Sequence, residues 1–312
     1  MNIQQIEYVL AVKELGNFSS AAEKCNITQS TLSTMIGKLE EQIGIQIFDR
    51  KTKPVSITKE GEVLIQQMKI IAFELDRFKE TTQMLKGELV GNLSIGVIPT
   101  VAPYLLPGFL NDFAREFPKM EFTVSEMTTG QIIESLKRRE LDLGILATPL
   151  NQNEIMELPL YSESFVLYDC SGVNYSSDTV SISEINFENL WLMEEGHCLS
   201  TQVLNICDFK HGSYRRHNFN FRAGSIDSLI RFVRKNKGLT LLPELATLEF
   251  TEMEKERLFR LQDPVPIRSI GIVTHEHFVK KGLLKVMQEK IQIKIDETLS
   301  INNEEFIINP LK

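Results

Sequence analysis

Four cysteines, at positions 25, 170, 198 and 207, are the side chains of this 312-residue chain with the widest choice of chemistry. A thiol can act as a nucleophile, a metal ligand or half of a disulfide, and spacing helps to separate these uses. No two cysteines stand in a CxxC, and no histidine lies at the offset a zinc finger needs, so no metal is expected. A structural disulfide framework is not expected in a cytoplasmic chain of this size. On spacing alone, Cys198 and Cys207, nine residues apart, read as unrelated core thiols.

Composition bounds what surrounds them. Hydrophobic residues make up 42% and charged residues 24%, an ordinary globular balance, and the length suits two domains or one large one. The start, Met1-Asn2-Ile3-Gln4-Gln5, has no basic segment leading into an apolar stretch, and no apolar run reaches the length of a membrane span. A cytoplasmic protein without a membrane partner is expected, and a secreted solute-binding component is disfavoured. Net charge is −8, yet Arg50, Lys51, Lys53 and Lys59 lie in a stretch, 50–59, with no acid. Local charge decides a nucleic-acid reading, and bulk charge does not.

The first sixty residues supply the elements. Ile3, Ile6, Val9, Leu10 and Val12 recur near helical spacing up to Leu15-Gly16. Asn17-Phe18-Ser19 offers a cap before a short helix at Ala21–Lys24, and Thr28 a cap for a helix to about Gln42. In that last helix Leu32, Met35, Ile36, Leu39 and Ile43 form one apolar stripe, opposite Gln29, Ser30, Thr31, Ser33, Thr34 and Lys38. A short helix, a tight turn and a second helix with small polar side chains make a helix-turn-helix, which lays its second helix in the major groove of double-stranded DNA. Gln29 suits adenine, and Thr28, Ser30, Thr31, Ser33, Thr34 and Lys38 suit bases or phosphates. Phe48 to Ile57 reads as a hairpin wing whose Arg50, Lys51 and Lys53 suit phosphates.

Phe18-Ser19-Ser20-Ala21-Ala22-Glu23, then Ile27 to Ser33, Lys38 to Gly44, and Phe48-Asp49-Arg50 together resemble the signature of LysR-type transcription regulators. Two positions depart from it: Ser30 stands where many members have proline, and Thr34 where many have arginine. They bear on which operator is read.

From Thr58 the pattern is helical for about thirty residues. Leu64, Met68, Ile71, Leu75, Phe78, Thr82 and Leu85 alternate steps of four and three, the seam of a two-stranded coiled coil. Gly87 and Gly91 mark a hinge. Beyond it, apolar strands at 93–98, 122–124, 143–146, 165–168, 239–242 and 270–273 alternate with helices, which predicts an α/β body with a parallel sheet. Residues 301–312 have no clear assignment. The expected fold is α/β: a winged helix-turn-helix (1–58), a dimerisation linker helix and hinge (59–91), and an effector domain (92–312). By resemblance the last is two-lobed and like periplasmic binding proteins, with lobe I at about 92–162 and 268–300 and lobe II at about 163–267.

Ile98 to Pro107, Glu194-Glu195-Gly196-His197-Cys198-Leu199 with Cys207, Gly238 to Pro243, and Ile270 to Val273 after Arg268 narrow the resemblance to the OxyR group. That resemblance implies a hydrogen peroxide sensor in which Cys198 is oxidised and pairs with Cys207. It implies that Thr100, Thr129, His197 and Arg268 surround the peroxide. Thiolate chemistry then asks that Cys198 be accessible and have a depressed pKa. It also implies a homodimer or homotetramer, RNA polymerase as a partner, no cofactor, and no enzymatic turnover. The competing reading is a LysR-type regulator of a small metabolite, with Ser225 as inducer contact and the cysteines inert. Cys25 and Cys170 read as core residues.

Overall fold

The computed structural model describes residues 1–86, 89–194, 198–207, 221, 223–299 and the backbone of 305–307. The chain divides into two units, one formed chiefly by Met1–Val90 and the other beginning at Gly91.

In the first unit, caps set the helices. Asn2 accepts from Gln5 N, and Gln5 Oε1 accepts from Asn2 N, both at 2.9 Å, opening α1 (Ile3–Leu15) with a capping box. Asn17 caps α2 (Phe18–Lys24) by accepting from Ser19 N at 2.7 Å. Thr28 caps α3 (Gln29–Ile43) by accepting from Thr31 N at 3.2 Å. Gly16 at φ 61° and Gly44 at φ 72° end α1 and α3 in the left-handed region, where a side chain would be strained. Leu32, Ile36 and Leu39 of α3 are fully buried against Val9, Val12 and Ala21. The wing is β1 (Phe48–Asp49) paired antiparallel with β2 (Ser56–Ile57). Helix α4 (Lys59–Leu85) has 27 residues, about 40 Å at 1.5 Å per residue. Its start buries Ile65 and Met68 in the same core, whereas Ile71, Phe78 and Leu85 of the expected seam are exposed.

The second unit runs β3 (Gly91–Val97), α5 (Ala102–Glu116), β4 (Met120–Glu126), α6 (Thr129–Lys137), β5 (Leu143–Thr148), β6 (Ile155–Asp169) and β7 (Thr179–Val180). It continues with α7 (Cys198–Ile206), α8 (Ile226–Lys235), β8 (Leu239–Pro243), α9 (Glu252–Lys255), β9 (Leu258–Leu261), β10 (Val265–His275), α10 (Lys281–Asp296) and β11 (Glu305–Ile307). The main sheet has the order β4-β3-β5-β10-β6-β9-β7, with β8 beside β6 and β11 beside β10. Strand β3 is parallel to β4 and β5, as alternating strands and helices predict. The sheet as a whole is mixed, not parallel: β10 runs antiparallel to β5 and β6, and β6 antiparallel to β8 and β9. The cause is that β10 returns from the far part of the unit, so it enters the sheet in the reverse direction.

Strand β6 passes through two cores. Leu160 and Tyr161 lie in one, with β3, β5, α5 and α10; Phe165, Leu167 and Tyr168 lie in the other, with α8 and β8. What reads in sequence as a new strand at Phe165 is the second half of this one element. Between the halves sits Glu163, opposite Arg268 of β10.

Candidate functional site

The antiparallel register of β6 and β10 places two charges face to face in the interior. Arg268 is 0% exposed and Glu163 3%. Arg268 Nε donates to Glu163 Oε1 at 3.0 Å, and Nη2 approaches the same oxygen at 2.9 Å. Arg268 Nη1 donates to Thr100 Oγ1 and Nη2 to the Thr100 carbonyl, both at 3.0 Å. Glu163 Oε2 accepts from Leu245 N at 2.9 Å. A guanidinium only donates, so Thr100 Oγ1 is the acceptor and its own proton is left for another partner. Val101 stands between Thr100 and α5, in the cap position and without a side-chain cap bond.

Cys198 is the first residue of α7 and is 5% exposed, within the core that includes Tyr161. Burial raises its thiol pKa, and this outweighs Arg268, the Thr129 hydroxyl and the Leu199 and Cys198 amides, all of which favour thiolate. This corrects the expectation of an accessible cysteine with a depressed pKa: desolvation of the charged form is the larger effect. Thr129 Oγ1 lies beside the sulfur but makes no hydrogen bond of full geometry among the described residues, leaving a buried hydroxyl unsatisfied.

Cys207 follows the last turn of α7, its amide donating to Val203 O at 3.1 Å. It packs against the second core, and burial pushes its thiol pKa up to about 12. Nine residues of helix rise about 13 Å and turn two and a half times, which directs the two side chains to opposite faces. A disulfide needs Cα atoms roughly 4–7 Å apart. Cys198 and Cys207 therefore cannot be joined while α7 is wound.

His197 lies outside the described residues. Cys170 is buried in the second core, and Cys25 is half-buried beside the first unit's core. Ser225 caps α8, accepting from Ser228 N at 3.2 Å. Sequence reasoning missed Glu163, which is one of three acids in 155–169 and is flanked by Ser162 and Ser164, so that nothing local marks it out.

On the first unit, Thr28, Gln29, Ser30, Thr31, Thr34 and Lys38 are exposed along α3, and Lys51 and Lys53 are exposed on the wing. Arg50 is engaged within the unit. It donates to Ser33 Oγ at 2.9 Å and Glu40 Oε2 at 2.8 Å, and lies 5.1 Å from the Phe18 ring centroid. Glu40 Oε1 also accepts from Ile47 N at 2.8 Å and Phe48 N at 3.2 Å. Arg50, Ser33 and Glu40 thus fasten the wing to α3, with the Arg50 charge compensated internally. No helix among the described residues is long and apolar enough to cross a membrane, and no group of three or more His, Cys, Asp or Glu among them could hold a metal.

Residues 3–62 match the bacterial regulatory helix-turn-helix protein family, lysR type, and residues 86–287 match the LysR substrate binding domain. A hydrogen peroxide-inducible genes activator of Haemophilus influenzae is 33% identical, over 88% of this chain and 90% of that protein. A full-length OxyR variant from Pseudomonas aeruginosa superposes with a TM-score of 0.74 at 25% identity, over 94% of this chain and 98% of the other. A Corynebacterium glutamicum OxyR mutant with H2O2 bound superposes with a TM-score of 0.63 at 25% identity, over 97% and 98% of the two chains. The chain belongs to the LysR family of bacterial regulatory helix-turn-helix proteins, in its OxyR branch.

Proposed function

We propose that this regulator senses hydrogen peroxide, with Cys198 as the oxidised thiol and Cys207 as its partner. The observation that carries the site assignment is helix α7 itself, with one thiol at each end, the first beside Arg268 and Thr129. Cys198 releases its proton and the thiolate attacks one peroxide oxygen: an S–O bond forms, the O–O bond breaks, and the departing hydroxide takes up the released proton and leaves as water. Cysteine is oxidised to sulfenic acid and peroxide is reduced. Cys207 sulfur then attacks the sulfenic sulfur: the S–S bond forms, the S–O bond breaks, and the departing hydroxide leaves with the Cys207 proton as a second water. A glutathione-linked dithiol–disulfide exchange resets the pair. Thr100 and Thr129 supply hydroxyls to the peroxide and Arg268 supplies positive charge; His197 is assigned the same neighbourhood by its place in the sequence.

Closing the bond demands that α7 unwind, which converts a chemical event into a conformational one. The reading head at 1–58 then delivers it to double-stranded DNA through the exposed side chains of α3 and the wing lysines. The exposed apolar stripe of α4 supports a dimer formed by residues 59–91, with a tetramer as the larger assembly. The effector domain takes 92–312, lobe I at about 92–162 and 268–300 and lobe II at about 163–267, as the two cores suggest. RNA polymerase is the further partner, the location is the cytoplasm, and the protein is no enzyme. Peroxide treatment of the full chain, disulfide mapping by mass spectrometry and DNase footprinting test the reading. A Cys198–Cys207 bond with an altered footprint is expected; no bond and an unchanged footprint overturn it.

A further inference from the structure

Tyr161 and Glu163 stand two residues apart on β6 and so share one face of the strand. Across the ladder Tyr161 pairs with Ile270 and Glu163 with Arg268. The phenol and the guanidinium are therefore diagonal neighbours on that face, a separation long side chains span. The Tyr161 hydroxyl is buried and has no hydrogen-bond partner among the described residues. It feels the charges of both Glu163 and Arg268, and the Arg268 charge reaches the Cys198 sulfur as well. Tyr161 and Cys198 belong to one core.

A buried hydroxyl without a partner is destabilising, and phenylalanine would fill the same space without that cost. Two such hydroxyls flank one cation and the thiol it acts on: Tyr161 Oη feels the Arg268 charge, Thr129 Oγ1 lies beside the Cys198 sulfur, and Thr100 has an unassigned proton next to Arg268. What these groups lack is an acceptor. A small molecule with two adjacent oxygens supplies one.

We infer that the Tyr161 hydroxyl donates a hydrogen bond to the peroxide oxygen that departs when Cys198 attacks, which makes Tyr161 a further catalytic residue of the sensor. This rests on the peroxide-sensing reading above. In the step, the Cys198 S–O bond forms, the O–O bond breaks, and the departing oxygen leaves as hydroxide stabilised by the phenol. The proton that converts it to water comes from the Cys198 thiol, not from Tyr161. Burial and the Glu163 charge hold the phenol protonated well above its usual range, so it is a donor across neutral pH.

The test uses the full chain with Cys207→Ser, so that the sulfenic acid persists, with and without Tyr161→Phe. Dimedone trapping gives the rate of Cys198 oxidation by hydrogen peroxide, and iodoacetamide gives the rate of alkylation, which needs no donor to a departing oxygen. One preorganised donor can be worth roughly a hundredfold; with the threonines sharing the role, oxidation should slow about tenfold in Tyr161→Phe. The alkylation rate and its pH profile should stay the same, and the melting temperature should hold or rise. Equal oxidation rates, or oxidation and alkylation slowed alike, overturn the role of Tyr161. No sulfenic acid at Cys198 in the parent overturns the peroxide reading itself, and this inference with it.

Discussion

Cys198 and Cys207 lie nine residues apart at the two ends of one helix, and each is packed against a different core. Neither thiol can approach the other by side-chain rotation alone. The fold thus keeps the two thiols from pairing, and a disulfide between them requires that α7 be disrupted.

That requirement can be tested by amide exchange. Amides of 199–206 should exchange at least tenfold faster after peroxide treatment, read by mass spectrometry, and Cys198→Ser should abolish the change. Protection that is equal in the two redox forms would refute the unwinding of α7.

The buried pair of Arg268 and Glu163 gives a stability prediction. Arg268→Ala leaves Glu163 charged, buried and uncompensated, and should cost about 3–5 kcal/mol in urea unfolding. The double replacement Arg268→Gln with Glu163→Gln removes both charges and should recover much of that loss. A double variant no more stable than Arg268→Ala would contradict it.

Stability should also fall at alkaline pH. The folded protein raises the thiol pKa of Cys198 and Cys207, the latter to about 12. It therefore holds these protons more tightly than the unfolded chain, whose thiols titrate near about 8.5. The contribution is whole below that value and is lost as pH rises toward the folded values. By pH 10 Cys207 alone accounts for about 2 kcal/mol. Urea midpoints should drop from pH 8 to 10, less steeply in Cys207→Ser; parallel curves would count against a thiol origin.

On DNA, Lys51→Ala and Lys53→Ala should each weaken binding to every sequence and lower the salt slope by about 1. Gln29→Ala should alter sequence preference instead. Arg50→Ala should lower the melting temperature, because its charge is tied to Glu40 and Ser33. An Arg50→Ala protein of unchanged stability with a lowered salt slope would return Arg50 to the phosphates.

The reading head was legible from sequence because its determinants are local. Asn17 and Thr28 cap the helices that follow them, and Leu32, Ile36 and Leu39 repeat at helical spacing. The alternation of strands and helices likewise pointed to an α/β body. The direction of β10 was not legible, since nothing within Val265–His275 says which neighbours it will join. The partner of Arg268 was hidden for the same reason: Glu163 is 105 residues away and meets it only through strand register. Burial of Cys198 was missed too, because residue type conveys reactivity and packing alone conveys access. The Tyr161 hydroxyl becomes noticeable only when its neighbours can be searched for a partner.

The enclosure of Cys198 also makes the site a sieve. A sulfur 5% exposed within a packed core slows bulky organic hydroperoxides and disulfides more than small neutral reagents while α7 is wound. Charged oxidants meet a desolvation barrier on the same path. Oxidants are then discriminated by size and charge on the way in, as well as by their chemistry at the sulfur.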